Sequence, residues 1–218
     1  MNRNEKWILL TYIWVQLMTA LGGPVALFIT TLPGGNKDLQ TGIYSFWITL
    51  WFFIGSLSTL ILLKGAYRSE GKRAMAPLPS LFWSILGVGF VFLAQEIAIF
   101  LESLMGIRPG SENTQMILSL IEQSPWMILT GTVFAPILEE IVFRKILFTA
   151  FLKRMNVMNA ALASSLIFAA AHFEFEHLLL YTSVGLVFAA LYQKTGRIMS
   201  PIFCHIFMNA IVILARYA

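Results

Sequence analysis

With 218 residues, 58% of them hydrophobic, 12% charged and a mean hydropathy of +0.76, the chain carries about half the charged fraction of a soluble domain, which excludes an ordinary water-soluble fold. The net charge of +4 comes with no basic patch interleaved with aromatics, so it points to basic loops against anionic lipid, not to nucleic acid. Cys204 is the single cysteine, so no intramolecular disulfide is possible.

The first apolar block, Trp7–Leu32, holds no charge, and neither does the second, Gly42–Leu63. Roughly 20 apolar residues cross the hydrocarbon core as a helix, so each is long enough. In lipid an open sheet would leave backbone groups unpaired, and helices are expected throughout. The first block is too long for a cleavable signal and reads as a retained anchor. Further spans are expected at 80–105, 125–152, 157–175, 178–193 and 198–216. The fold class is therefore all-α, a polytopic transmembrane helical bundle of about seven spans. It forms a single membrane domain over 1–218, with three spans in 1–124 and the chemistry in 125–216.

Alternating sides places 12 of the 15 basic residues on or toward one side. These are Arg3, Lys6, Lys64, Arg68, Lys72, Arg73, Arg144, Lys145, Lys153, Arg154, Lys194 and Arg197, leaving Lys37, Arg108 and Arg216 opposite. The positive-inside rule then predicts a multi-pass protein of a cell membrane with a cytoplasmic N-terminus and an external C-terminus. Lys64–Pro79 is the longest basic loop and Gly106–Ser124 the longest external one; both read as linkers. Ser124-Pro125 and Ser200-Pro201 read as helix starts, with serine as N-cap and proline first in the helix. The fifth span is rich in small residues (Ala160, Ala161, Ser164, Ala169), and Gly185-x-x-x-Ala189 repeats the feature in the sixth. Small faces let membrane helices approach closely.

Ionisable groups deep in a bilayer are expensive and need a reason. Glu139 lies 14 residues before Lys153, roughly 21 Å along a helix, and His172 lies 15 residues after Val157, roughly 22 Å. His205 and Asn209 lie 8 and 12 residues after Arg197, roughly 12 and 18 Å. Three helices thus bring polar groups to nearby levels. Arg144 follows Glu140 by four residues, so the two share a face and can pair. Glu139 faces about 100° away and is the candidate general base. Pro136 removes the hydrogen bond to the Thr132 carbonyl and is expected to kink the helix beside the site. His205 and Asn209, also four apart, present an imidazole and a carboxamide suited to an oxyanion hole. Phe168 and His172 repeat that spacing.

Together, Glu139-Glu140-x-x-x-Arg144, Phe168-x-x-x-His172 and His205-x-x-x-Asn209 resemble, in order, the three motifs of the CAAX protease and bacteriocin-processing (Abi) family. The resemblance covers about residues 125–215 and implies a helical intramembrane endopeptidase of a bacterial kind. By it, Glu139 with His172 activates the attacking water and His205 with Asn209 stabilises the oxyanion. Glu140, Arg144 and Phe168 orient and support the site. The implied substrate is a membrane-associated peptide or protein within the lipid bilayer.

Each of these residues has a blander reading. Glu139 could be a buried structural acid, Glu140–Arg144 a structural pair, His205 a satisfied core histidine and Asn209 an interhelical bond. Gln95, Glu96 and Glu102 are expected at the outer interface, and Glu174, Glu176 and His177 as a solvated cap there. Lys145 falls short of the inner interface and is expected to snorkel. No cofactor is expected; zinc on two histidines and a glutamate is the minority mechanism, since no HExxH is present. The alternative function is a non-proteolytic scaffold or bacteriocin-immunity partner that binds another membrane protein. A small transporter is a third reading, disfavoured by the lack of repeat symmetry.

Overall fold

The computed structural model describes residues 1–32, 36–64 and 74–217. Its described residues form eight helices and no strand. They are α1 (Arg3–Thr30), α2 (Lys37–Lys64), α3 (Pro77–Leu104), α4 (Glu112–Gln123), α5 (127–152), α6 (Val157–Ala170), α7 (Leu178–Thr195) and α8 (Met199–Tyr217). Within α5 two stretches, Thr130–Phe134 and Ile141–Phe148, are wound in wider π turns.

Polarity in this bundle runs inside out. Helix α1 exposes Trp7, Leu10, Trp14, Leu17 and Phe28 while burying Ile8, Val15, Gly22 and Ala26. Helices α2 and α3 turn Ser45, Gly55, Ser56 and Thr59, and Ser80, Ser84 and Gly87, inward. Large apolar residues outward and small or hydroxylated ones inward is the pattern of helices solvated by lipid tails. The inward hydroxyls are not orphaned. Ser45 Oγ donates to the Thr41 carbonyl at 2.8 Å, and Ser84 Oγ to the Ser80 carbonyl at 2.8 Å.

Five helical segments are long and apolar enough to cross a membrane: α1, α2, α3, Phe175–Thr195 and α8. The expected fourth and fifth spans correspond to α5, with its π turns, and to the apolar α6, which has 14 residues. The chain is a multi-pass helical membrane bundle. Asn4 Nδ2 donates to the Leu62 carbonyl at 3.3 Å, joining the start of α1 to the end of α2. The Met75 N–H donates to the Thr195 carbonyl at 2.8 Å, joining the approach to α3 to the end of α7. Arg3, Lys6, Lys64, Lys194 and Arg197 therefore gather at one end of the bundle, and Lys37, Arg108 and Arg216 at the other. Arg68, Lys72 and Arg73 lie outside the described residues.

Three expectations are corrected. Gly106–Ser124 is not a plain linker, because it contains α4. Ser111 caps that helix, its Oγ accepting from the Thr114 N–H at 3.0 Å, and Leu118, Leu120 and Ile121 bury its apolar face. Ser124 ends α4 and does not cap α5. A turn follows in which the Met127 N–H donates to the Ser124 carbonyl at 2.9 Å, so α5 begins at Met127. Ser200 lies inside α8, which starts at Met199 because the Ser200 N–H already reaches the Arg197 carbonyl at 3.2 Å. The small-residue reading holds: a Cβ on Gly185 of α7 would stand 2.8 Å from Ser165 Cβ of α6, so glycine sets that close approach.

Candidate active site

The site is organised by two neighbouring carboxylates on α5 that face different surroundings. Glu140 is fully buried. One of its oxygens lies 3.2 Å from Arg144 Nε and the other accepts from His205 Nδ1 at 2.9 Å. Arg144 is also fully buried, and its Nη2 donates to the Gly185 carbonyl at 3.2 Å. Its guanidinium lies 4.4 Å from the Phe168 ring centre and 5.2 Å from that of Phe188. Such contacts contribute about 2 kcal/mol or more when desolvated. The Arg144 charge thus rests over the Phe168 ring.

Glu139 points the other way, into a cavity of about 140 Å³. Its side chain is 14% exposed, and Oε2 stands 4.0 Å from His205 Nε2. His205 therefore bridges the two carboxylates, with its ring stacked on Phe188 at 4.7 Å. His172 sits two residues past the end of α6. Its Nδ1 donates to the Phe168 carbonyl at 2.9 Å, because a carbonyl can only accept. The Nε2 lone pair is left available. The ring stacks on Tyr181 at 4.0 Å, and the Tyr181 hydroxyl donates to Glu174 at 3.0 Å and meets Ser111 Oγ at 2.8 Å. Phe173 then turns the chain away in the left-handed region, at φ 58°, a conformation that costs an L-residue about 1–2 kcal/mol.

Asn209 is placed through a backbone irregularity. In the π register of α5 the Ala135 N–H reaches back to the Thr130 carbonyl. The next amide in that register belongs to Pro136, which has no N–H, so the Gly131 carbonyl loses its partner. Asn209 Nδ2 donates to that carbonyl at 2.7 Å. The carbonyl affected is thus that of Gly131, not Thr132. Ser56 Oγ of α2 donates to the Phe134 carbonyl at 2.7 Å.

Glu139, His172, His205 and Asn209 all line the one cavity, together with Gln95 and Tyr181. A second, more apolar cavity of about 550 Å³ shares Glu139 and His172 and extends toward Tyr12, Gln16 and Tyr44. Sequence reasoning missed Tyr12, Gln16, Tyr181 and Asn113, which carry no charge and belong to no spaced motif. Gln95 lines the site instead of the outer interface, while Glu96 is exposed. The expected solvated cap is also revised. His177 is buried and its Nδ1 bonds Glu102, itself buried, at 2.8 Å. Glu174 accepts from the Asn113 N–H and so ties α4 to the α6–α7 connection. Of that group only Glu176 is exposed. Lys145 lies over the Tyr192 ring, 6.0 Å from its centre. Among the described residues no group of three or more His, Cys, Asp or Glu stands where it could hold a metal ion.

Comparison with known proteins falls on the same elements. The family described as "Type II CAAX prenyl endopeptidase Rce1-like" matches residues 121–211, a stretch that contains α5 to most of α8. A Bacillus subtilis (strain 168) protein named "Putative membrane peptidase YdiL" is 37% identical over 98% of this chain and 90% of its own length. A Staphylococcus aureus (strain USA300) protein named "Membrane-embedded CAAX protease MroQ" is 27% identical over 94% of this chain and 90% of its own. No solved structure matches significantly.

Proposed function

Because this chain belongs to the CAAX protease family, and is similar along nearly its whole length to a membrane peptidase, we propose that it is an intramembrane endopeptidase that cleaves by glutamate-activated water. The observation that carries the reading is the division of labour between neighbouring carboxylates. Glu140 is spent on Arg144 and His205, while Glu139 faces the cavity.

In this reading a water held by Glu139 and by the His172 Nε2 lone pair gives its proton to Glu139 as its oxygen attacks the substrate carbonyl. Glu139 then returns the proton to the departing amine. His205 already donates its Nδ1 proton to Glu140. To donate from Nε2 as well it must carry a proton on both ring nitrogens. It then faces the oxyanion with one N–H, and Asn209 adds the amide N–H not used by Gly131. Arg144 holds Glu140, and through it His205, in register. The substrate is a peptide or protein segment that reaches the cavity within the membrane.

The test is turnover of a mixture of internally quenched apolar peptides by the purified protein in proteoliposomes. Glu139→Gln is expected to lower turnover about 10²–10⁴-fold at unchanged protein level. Turnover by wild type is expected to survive a strong chelator. Full activity of Glu139→Gln, or activity lost to the chelator and restored by zinc, overturns the mechanism.

A further inference from the structure

The matched family segment starts at residue 121, yet the larger cavity reaches back to α1. There Tyr12 and Gln16 stand one helical turn apart on the wall that ends at Glu139 and His172. Gln16 Nε2 donates to the Tyr12 hydroxyl at 2.8 Å. The phenol oxygen is therefore an acceptor in its one hydrogen bond among the described residues, and its own proton is unspent. The ring is not free to wander. It packs edge-on against Phe143 at 5.3 Å, and Phe143 packs edge-on against Phe168 at 5.3 Å, the residue whose carbonyl holds His172. A chain of three aromatic rings thus fixes the phenol relative to His172.

From this geometry we infer that Tyr12, with Gln16 behind it, is a substrate-binding residue whose hydroxyl donates to a backbone carbonyl of the peptide on the α1 side of Glu139. The inference rests on the peptidase reading for the identity of the ligand. The chemistry selects a carbonyl over a free carboxylate: Tyr12 is a neutral donor, and a second anion beside Glu139 would be repelled. The ligand is therefore the interior of a chain. Gln16 occupies the phenol oxygen as an acceptor and leaves its proton to be donated into the cavity that Tyr12 lines. Helix α1, which contributes nothing to the spaced motifs, in this way supplies the grip on the peptide, and α5 supplies the chemistry.

The experiment uses the full chain in proteoliposomes and a mixture of internally quenched, N-acetylated and C-amidated apolar peptides of ten residues. Tyr12→Phe removes the hydroxyl and keeps the edge contact with Phe143. It is expected to raise KM or lower kcat/KM about tenfold, the scale of one lost hydrogen bond, with the unfolding temperature unchanged. Gln16→Leu should fall in the same direction. Tyr12→Phe turning over like wild type overturns the inference and leaves the peptidase reading standing. If wild type cleaves nothing, that reading fails on its own, and the inference is then judged by binding. Tenfold weaker binding of the same peptides to the Glu139→Gln, Tyr12→Phe double variant than to Glu139→Gln supports Tyr12 as a carbonyl ligand. Equal binding rejects it.

Discussion

Arg144 illustrates what a single residue can require of its surroundings. A guanidinium with no solvent exposure has been given one carboxylate, one carbonyl and the faces of three phenylalanines, Phe143, Phe168 and Phe188. Replacing it by methionine leaves Glu140 buried without its cation, and removing one member of a buried pair typically costs about 3–5 kcal/mol. Arg144→Met should therefore lower the unfolding temperature in detergent sharply. Glu140→Gln combined with Arg144→Met should be less damaging than Arg144→Met alone, since the uncompensated charge is gone. A thermal-shift cycle over the four proteins measures the difference. Equal losses in the single and double variants would show that the pair is not what holds α5 in place. The Glu140–Arg144 pairing was legible in the sequence from its four-residue spacing. The motif resemblance named Phe168 as a supporting residue, but its contact with the guanidinium was not legible, because a cation over a ring leaves no periodic trace; nor was the bond from His205 to Glu140, which joins residues 65 apart.

At the level of the element, α5 owes its shape to where its hydrogen bonds fail. The π turn and Pro136 release the Gly131 carbonyl, and α8 answers with Asn209. Asn209→Leu should therefore destabilise the bundle by about 1–3 kcal/mol, the penalty for an unpaired buried polar group. In a Pro136→Ala background the restored amide can take up the carbonyl, so the same substitution should cost less. Additive losses in chemical or thermal unfolding would reject the link. A proline at position 136 predicted an irregular helix. It could not predict a π turn, which depends on neighbours from α2 and α8 that donate to its carbonyls. Helix α4 was hidden for a similar reason. Its apolar face, built from Leu118, Leu120 and Ile121, is too short to register as a span and too polar on its far side to register as core.

For the whole molecule, the hydrophobic blocks announced the bundle, and the depth of the polar residues announced that α5, the α6 end and α8 would meet. The side of the membrane on which each end lies is a prediction. With the N-terminus inside, Glu112→Cys should react with a membrane-impermeant maleimide on intact cells, and Arg154→Cys only after permeabilisation. Both positions are exposed, whereas the native Cys204 is buried and should stay silent. Labelling of both from the same side would reject the arrangement.

The burial of Arg144 and Glu140 also bears on how the protein is made. As α5 leaves the ribosome it carries Glu139, Glu140, Arg144 and Lys145 within seven successive positions. Each acidic or basic side chain at the centre of a bilayer opposes insertion by about 2.5–3.5 kcal/mol. Glu140 and Arg144 pair within the helix, but their remaining partners come later: the Gly185 carbonyl on α7, and His205 on α8. Until those helices emerge, α5 has no stable place among lipids and must wait beside the translocation machinery or at the interface. A nascent chain stopped before α8 should therefore leave α5 accessible to protease in microsomes, while the full chain protects it. Protection of α5 in the stopped chain would mean that the helix inserts unaided.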